Sequence, residues 1–348
     1  MNIKPKCLTK QARIAVVSPS NGLPYLFPEI YELGLNNLRA LFEFNVVEMP
    51  TARMSSEQLY RNPQMRAEEL NECFANPNID GIITSIGGYE SIRILPYLDT
   101  ELILQHPKFI MGFSDATTFL CYLNTLGLVT FYGPSVMAGI AQLRNLPKKS
   151  LEQMKTILFS DKYPFPLQAT SQWTNGYRDW SDLNTLGECL PFQENKHYPH
   201  WRFLQGTTTV QGKLWGGCIE VLEFMKGTDY WPSPDFWHDK ILLFETSEEK
   251  PSPEQVGYML RNYGMQGILH KVQAILFGRA KDYSSEENIA LEKIILSIVE
   301  VEFGLNQLVI AFDVDFGHTD PKLILPLGTM VELDSAEGTI LLQESPFQ

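Results

Sequence analysis

The first 145 residues constrain the fold most, because short apolar runs alternate there with segments of helical period. Ile14-Ala15-Val16-Val17 is wholly apolar and too short for a buried helix, so residues 13–18 are expected to form a strand. Ile30, Leu33, Leu38 and Leu41 place a helix over 29–42, and 45–49 reads as a second strand. Leu59, Met65, Leu70 and Phe74 predict one helix over 56–76. Residues 81–85 form the next expected strand, closed by Gly87-Gly88, with a short helix over 91–98. Residues 109–112 then read as a strand and 117–126 as the helix after it. Such a series builds a mostly parallel sheet with helices on both faces. Ligands of such sheets sit beyond the carboxyl ends of the strands. Gly87-Gly88 and Ser114 both fall there, on one edge.

Residues 160–205 break the pattern. Tyr163-Pro164-Phe165-Pro166 reads as a linker, and a polar stretch follows that holds Trp173, Tyr177, Trp180, Tyr198 and Trp201. It fits either a surface loop tucked down by its aromatics or a flap over a substrate. Farther on, 210–214, 241–244, 274–277 and 308–311 read as strands, and 219–225, 252–263 and 286–303 as helices. Residues 327–334 and 338–342 read as a closing hairpin. A chain of 348 residues suits two domains. The expected division is an N-terminal α/β domain over 1–160, a linker and aromatic insertion over 161–205, and a second, smaller, mixed and β-rich α/β domain over 206–348.

Composition narrows the function classes. A formal charge of −13 argues against a nucleic-acid binder, which needs a basic face. No stretch approaches the ~20 apolar residues of a membrane span, and the polar N-terminus lacks a signal-peptide core. The five cysteines include no C-x-x-C pair, which points to a reducing cytoplasm without disulfides or structural zinc. His197 and His200 are spaced to share a helix face, but a polar surface loop explains such a pair as well, and no metal is expected.

The chemistry concentrates in Gly112-Phe113-Ser114-Asp115-Ala116, between an expected strand and an expected helix. Small residues on both sides of a serine suit the sharp strand-to-helix turn that exposes a nucleophile. A Ser-Asp helix cap fits the same residues. Two distant segments favour the nucleophile. Ile241-Leu242-Leu243-Phe244 ends in Glu245, and Phe312-Asp313-Val314-Asp315-Phe316 runs into Gly317-His318. Serine, acid and histidine thus follow in the chain order of α/β-hydrolases. The amide N–H of Asp115, next after the serine, is the first candidate for an oxyanion donor, and the Gly87-Gly88 turn offers a second.

These residues, with Ser18-Pro19-Ser20, Ser85-Ile86-Gly87-Gly88-Tyr89-Glu90-Ser91, Phe131-Tyr132-Gly133-Pro134 and Gly212-Lys213-Leu214-Trp215-Gly216-Gly217-Cys218, resemble the LD-carboxypeptidase family of serine peptidases over nearly the whole chain. The resemblance implies Ser114 as nucleophile, His318 as base, Glu245 as its orienting carboxylate and Gly88 as the second oxyanion donor. It implies no cofactor, a cytoplasmic homodimer, and a small peptide or peptidyl-nucleotide as substrate. Arg93 is a candidate for a terminal carboxylate, and Trp180, central among Trp173, Trp180 and Trp201, for a stacked base. Tyr132 and the aromatic insertion look like the microcin C immunity branch. Gly88-Tyr89 followed by Arg93 looks like the murein tetrapeptide carboxypeptidases. A non-catalytic anion-binding protein is the alternative of another class. A cysteine-dependent amidotransferase-like hydrolase would need a thiol where Ser114 stands. An acid limb of activity not far above ~6.5 is expected from the histidine.

Overall fold

Buried, mostly apolar strands build the centre of the first sheet, as parallel pairing with both faces covered requires, and only its edge strand at Asn45–Glu48 is half-exposed. The computed structural model describes residues 2–160 and 162–348. Met1, first residue of the polar N-terminus, and Asp161, first of the expected linker, lie outside the described residues. Strands β1 (Arg13–Val17), β2 (Asn45–Glu48), β3 (Gly81–Thr84), β4 (Phe109–Gly112) and β5 (Thr130–Tyr132) pair in parallel in the order β2-β1-β3-β4-β5. β2 lies on one side of β1 and β3 on the other, so a crevice opens beyond the carboxyl ends of β1 and β3. Ser20, Gly87-Gly88 and Ser114 follow β1, β3 and β4 at that edge.

Two expected helices differ in detail. The segment 56–76 is two helices, Ser56–Arg61 and Pro63–Ala75, because Pro63 pushes Asn62 out of helical backbone (φ −129°, ψ 60°). Ser91–Tyr97 is a 3₁₀ helix containing Pro96. His197 and His200 lie exposed in a turn, with no helix face to share.

The remaining strands are β6 (Phe165–Leu167), β7 (Gln172–Trp173), β8 (Gln193–Glu194), β9 (Arg202–Gln205), β10 (Thr209–Cys218), β11 (Lys240–Glu245), β12 (Ala274–Gly278), β13 (Val309–Val314), β14 (Leu325–Leu327), β15 (Met330–Asp334) and β16 (Thr339–Leu342). Eight of them form the sheet β6-β16-β15-β10-β11-β12-β13-β9, parallel from β10 to β13 and antiparallel outside. The C-terminal sheet therefore has more strands than the N-terminal one, whose six include β14. The extra strands are β6 and β9, which come from the segment read as linker and insertion. Both sit at edges, where Pro166 in β6 leaves the outer ladder unpaired at no cost.

β14 is the hinge of the architecture. After β13 the chain crosses to the first sheet, pairs β14 antiparallel with β5, and returns as β15. His318 lies on that crossing, which carries it toward the serine. Among the described residues no helix is long and apolar enough to cross a membrane.

Candidate active site

Ser114 holds a left-handed backbone conformation, φ 59°, in which few residues other than glycine are found. The turn closes because its flanks are small. A β-carbon added to Gly112 would stand 2.9 Å from the β-carbon of Ala116 and 2.6 Å from Thr84 Oγ1. One of the two flanking positions must lack a side chain, and with Gly112 there, alanine is accommodated at 116. The helix Thr117–Thr125 follows at once.

Three distant side chains then line up. Ser114 Oγ lies 3.1 Å from Nε2 of His318, and Nδ1–H of His318 donates to Glu245 Oε2 at 2.7 Å. Glu245 closes the carboxyl end of β11 and is buried. The approach of Gly317 to Glu245 is close: with φ 95°, a β-carbon there would fall 2.5 Å from Oε2. Lys250, a cation close by in the chain, pairs with Glu287 at 2.9 Å and not with Glu245. Phe113 packs edge-on against the imidazole with ring centroids 5.0 Å apart.

The sequence does not reveal how Tyr132 serves this site. Its buried hydroxyl donates to Glu245 Oε1 at 2.5 Å and accepts the Ser114 amide N–H at 3.2 Å. Burial, then the charge of Glu245, pushes the phenol well above its ordinary range, so it remains a neutral donor. One side chain thus joins the backbone of Ser114 to the carboxylate of Glu245.

The carboxylate of Asp115 was equally hidden. It is buried and accepts from Ser20 Oγ–H at 2.6 Å, Ser91 N–H at 2.8 Å and Glu90 N–H at 3.0 Å. These bonds clamp the 87–91 loop against the serine turn. A β-carbon on Gly87 would lie 3.0 Å from Ser114 Oγ, which fixes how near the Gly87-Gly88 peptide runs. Neither the Gly88 nor the Asp115 amide donates to another backbone carbonyl or side chain among the described residues.

A cavity of about 340 Å³ opens over these groups, with Ser114, Gly88, His318, Glu248, Tyr177 and Trp180 in its walls. The three candidate tryptophans separate here. Trp180 stacks on Tyr177, with ring centroids 5.0 Å apart. Trp173 lies under the Arg279 guanidinium, and Trp201 is buried with its indole N–H donating to Asp315 Oδ2 at 2.9 Å. Asp315 also accepts from Thr170 N–H at 3.0 Å, Thr170 Oγ–H at 2.8 Å and Arg279 at 2.8 Å. Thr174 and Asp320 exchange backbone bonds of 2.8 and 3.0 Å. The aromatic segment is thus stitched to the loop that carries His318. Arg93 is not in the cavity wall: its guanidinium bonds Glu90 and the Tyr60 carbonyl and lies over the Tyr60 ring.

Glu248, which nothing in the acidic run Glu245-Thr246-Ser247-Glu248-Glu249 sets apart, stands 2.9 Å from His318 Nε2. Burial opposes charge on the imidazole, but Glu245 and Glu248 outweigh it and push the ring up to about 9. The hydrogen bond and charge of His318 hold Glu248 down at about 2. Below about 9 the ring is an imidazolium with no lone pair for a proton. The acid limb of kcat/KM, which reports the free protein, is therefore expected near 9. A pH–rate profile from 6 to 10 checks this; a limb below ~7 would show that Glu248 does not hold Nε2 in solution.

Known proteins share this arrangement of chain. Residues 14–133 match the model of the LD-carboxypeptidase N-terminal domain, and 211–333 that of its C-terminal domain. A carboxypeptidase-like protein of Vibrio cholerae is 28% identical, with 97% of each chain covered. The microcin C7 self-immunity protein of Escherichia coli is 29% identical over 80% of this chain and 78% of its own. The crystal structure of an MccF-like protein from Streptococcus pneumoniae in complex with AMP superposes with a TM-score of 0.85 at 28% identity, covering 96% of this chain and 99% of the other. With both of the family's domains matched in order, the chain belongs to the LD-carboxypeptidase family of serine peptidases.

Proposed function

We propose that the chain is a carboxypeptidase that cleaves an amide by a Ser114–His318–Glu245 triad, acting on a small peptide or peptidyl-nucleotide whose base rests on Trp180. The observation that carries this reading is the continuous relay from Ser114 Oγ through the imidazole to Glu245, opening into a cavity that Trp180 also lines. In its neutral form His318 takes the Oγ proton through Nε2 as Ser114 attacks the carbonyl carbon, then gives that proton to the leaving amine. Glu245 keeps the other ring proton on Nδ1 and offsets the transient positive charge. Tyr132 keeps Glu245 in register. The amides of Gly88 and Asp115 receive the oxyanion, each contributing on the order of a hundredfold in rate. Water, deprotonated by the same imidazole, releases the acyl group.

The nucleotide part is supported by the indole of Trp180, whose N–H has no acceptor among the described residues, and by the AMP bound in the Streptococcus pneumoniae relative. Stacking of a base on an aromatic ring contributes about 1–3 kcal/mol. Trp180→Ala is therefore expected to lower kcat/KM for a nucleotide-conjugated peptide by roughly tenfold or more, while barely changing cleavage of a small L,D-peptide. Measuring both substrates on both proteins checks it. An unchanged ratio would assign Trp180 to packing and favour a murein-type peptide.

A further inference from the structure

We propose that Glu248 determines specificity: its carboxylate, beside the imidazole and open to the cavity, is the receptor for an ammonium group on the acyl side of the scissile amide. This rests on the triad reading above, since it takes the position of the carbonyl from Ser114. Glu248 Oε2 and Ser114 Oγ share the same ring nitrogen, at 2.9 and 3.1 Å. A group bound to Glu248 is therefore close to the carbonyl that Ser114 attacks, and in the proposal it lies on the acyl portion that stays with the serine.

The carboxylate is placed by a built turn. The half-buried Glu220 accepts from Ser247 N–H at 2.9 Å and from its hydroxyl at 2.8 Å, and Glu249 N–H donates to Ser247 Oγ at 3.2 Å. The His318 side chain is 7% exposed and that of Glu248 55%, so Glu248 keeps an accessible side while the imidazole does not. Among the described residues no other side chain bonds the Glu248 carboxylate.

The surrounding charge is one-sided. Among the described residues no lysine or arginine lines the cavity. The adjoining depression of about 430 Å³, which shares Asn21 and Tyr89, adds Glu57 and Glu90 and again no lysine or arginine. The cations nearby are engaged: Lys281 with Asp282 and the Asn175 carbonyl, Lys322 with Asp320, Arg93 with Glu90. A carboxylate on the acyl group would meet like charge, whereas an ammonium is matched. The match also serves the chemistry. While Glu248 holds Nε2 as an imidazolium, that nitrogen cannot take the Ser114 proton. An arriving ammonium draws the carboxylate away, which weakens the ring's hold on its Nε2 proton; that proton passes to solvent water, and the nitrogen can then take the one from Ser114.

The test uses acyl groups that differ only by an ammonium: alanyl against propionyl, with the charge next to the carbonyl, and N-acetyl-lysyl against N-acetyl-norleucyl, with the charge at the side-chain end. Each is joined to sulfamoyl adenosine and, separately, to D-alanine. Kd is measured on the Ser114→Ala protein and kcat/KM on the protein with Ser114 intact, both with and without Glu248→Gln. The expected result is a preference of about tenfold or more for the charged member of at least one pair, falling to near unity in Glu248→Gln. Which pair shows it tells where the ammonium sits. A wild-type ratio near unity in both pairs, or a preference that survives Glu248→Gln, overturns the proposal. The leaving groups keep the readings apart. Use of D-alanine amides alone would sink the nucleotide substrate without touching the ratio. Charge preference in binding without turnover by the intact protein would sink the triad and leave the Glu248 receptor standing.

Discussion

Ser114→Ala is expected to lower amide hydrolysis by about 10⁴-fold or more, and His318→Ala by a similar factor. In the proposed triad the two act as one unit, because the imidazole has a proton to move only if the hydroxyl is there to give it. The double variant should therefore be hardly slower than either single one. The backbone of residue 114 is strained whether it carries serine or alanine, since the φ of 59° belongs to the turn. Ser114→Ala should accordingly melt close to wild type, which separates lost chemistry from lost fold. Glu245→Gln is expected to be milder, as an amide oxygen can still accept Nδ1–H while the charge is gone. Steady-state rates with circular dichroism on each variant check this. Single variants that turn over near normally with a native fold would remove these residues from the chemistry.

Asp315→Ala is expected to cost about 3–5 kcal/mol of stability, measured as a shift in urea midpoint. The carboxylate is fully buried and serves four donors: the Thr170 amide and hydroxyl, the Trp201 indole and the Arg279 guanidinium. Removing it leaves a nearly buried guanidinium without its partner, and unpaired buried charge is the expensive part. The same bonds anchor the aromatic segment to the His318 loop, so catalysis should weaken along with stability. Asp315→Asn keeps an acceptor for the neutral donors and should fall between. A loss below about 1 kcal/mol would show that Arg279 finds other partners once the carboxylate is gone.

Some features of this protein are written locally and could be read from the chain. β1, β3 and β4 are short charge-poor runs, and the helices between them carry their apolar residues at helical spacing. The parallel half follows from that alternation, because period and length are local properties. The turn at Ser114 is local too, since the smallness of Gly112 and Ala116 answers a clash within five residues. Glu245 and His318 were legible only as strand-end positions, and the resemblance to a family carried their roles. The break at Asn62 was also legible in principle, because Pro63 alone imposes it; the helical period of Leu59 and Met65 across it masked the proline.

Other features exist only once the chain is folded. Tyr132 reaches Glu245 across 113 positions, and Ser114 meets His318 across 204. No periodicity records such a pairing. β6 and β9 read as linker and insertion because an edge strand is made by its partner's open hydrogen-bond row more than by its own residues. Asp315 and Asp115 look like surface carboxylates until the donors that converge on them come from other elements. Glu248 sits in a run of acids that reads as a solvated turn. Only the crossing of the chain from β13 to β14 sets it against the imidazole. Sequence specifies groups whose neighbours are near in the chain. Electrostatic partners and buried hydrogen bonds depend on distance in space, and the packing of the two sheets alone sets that distance.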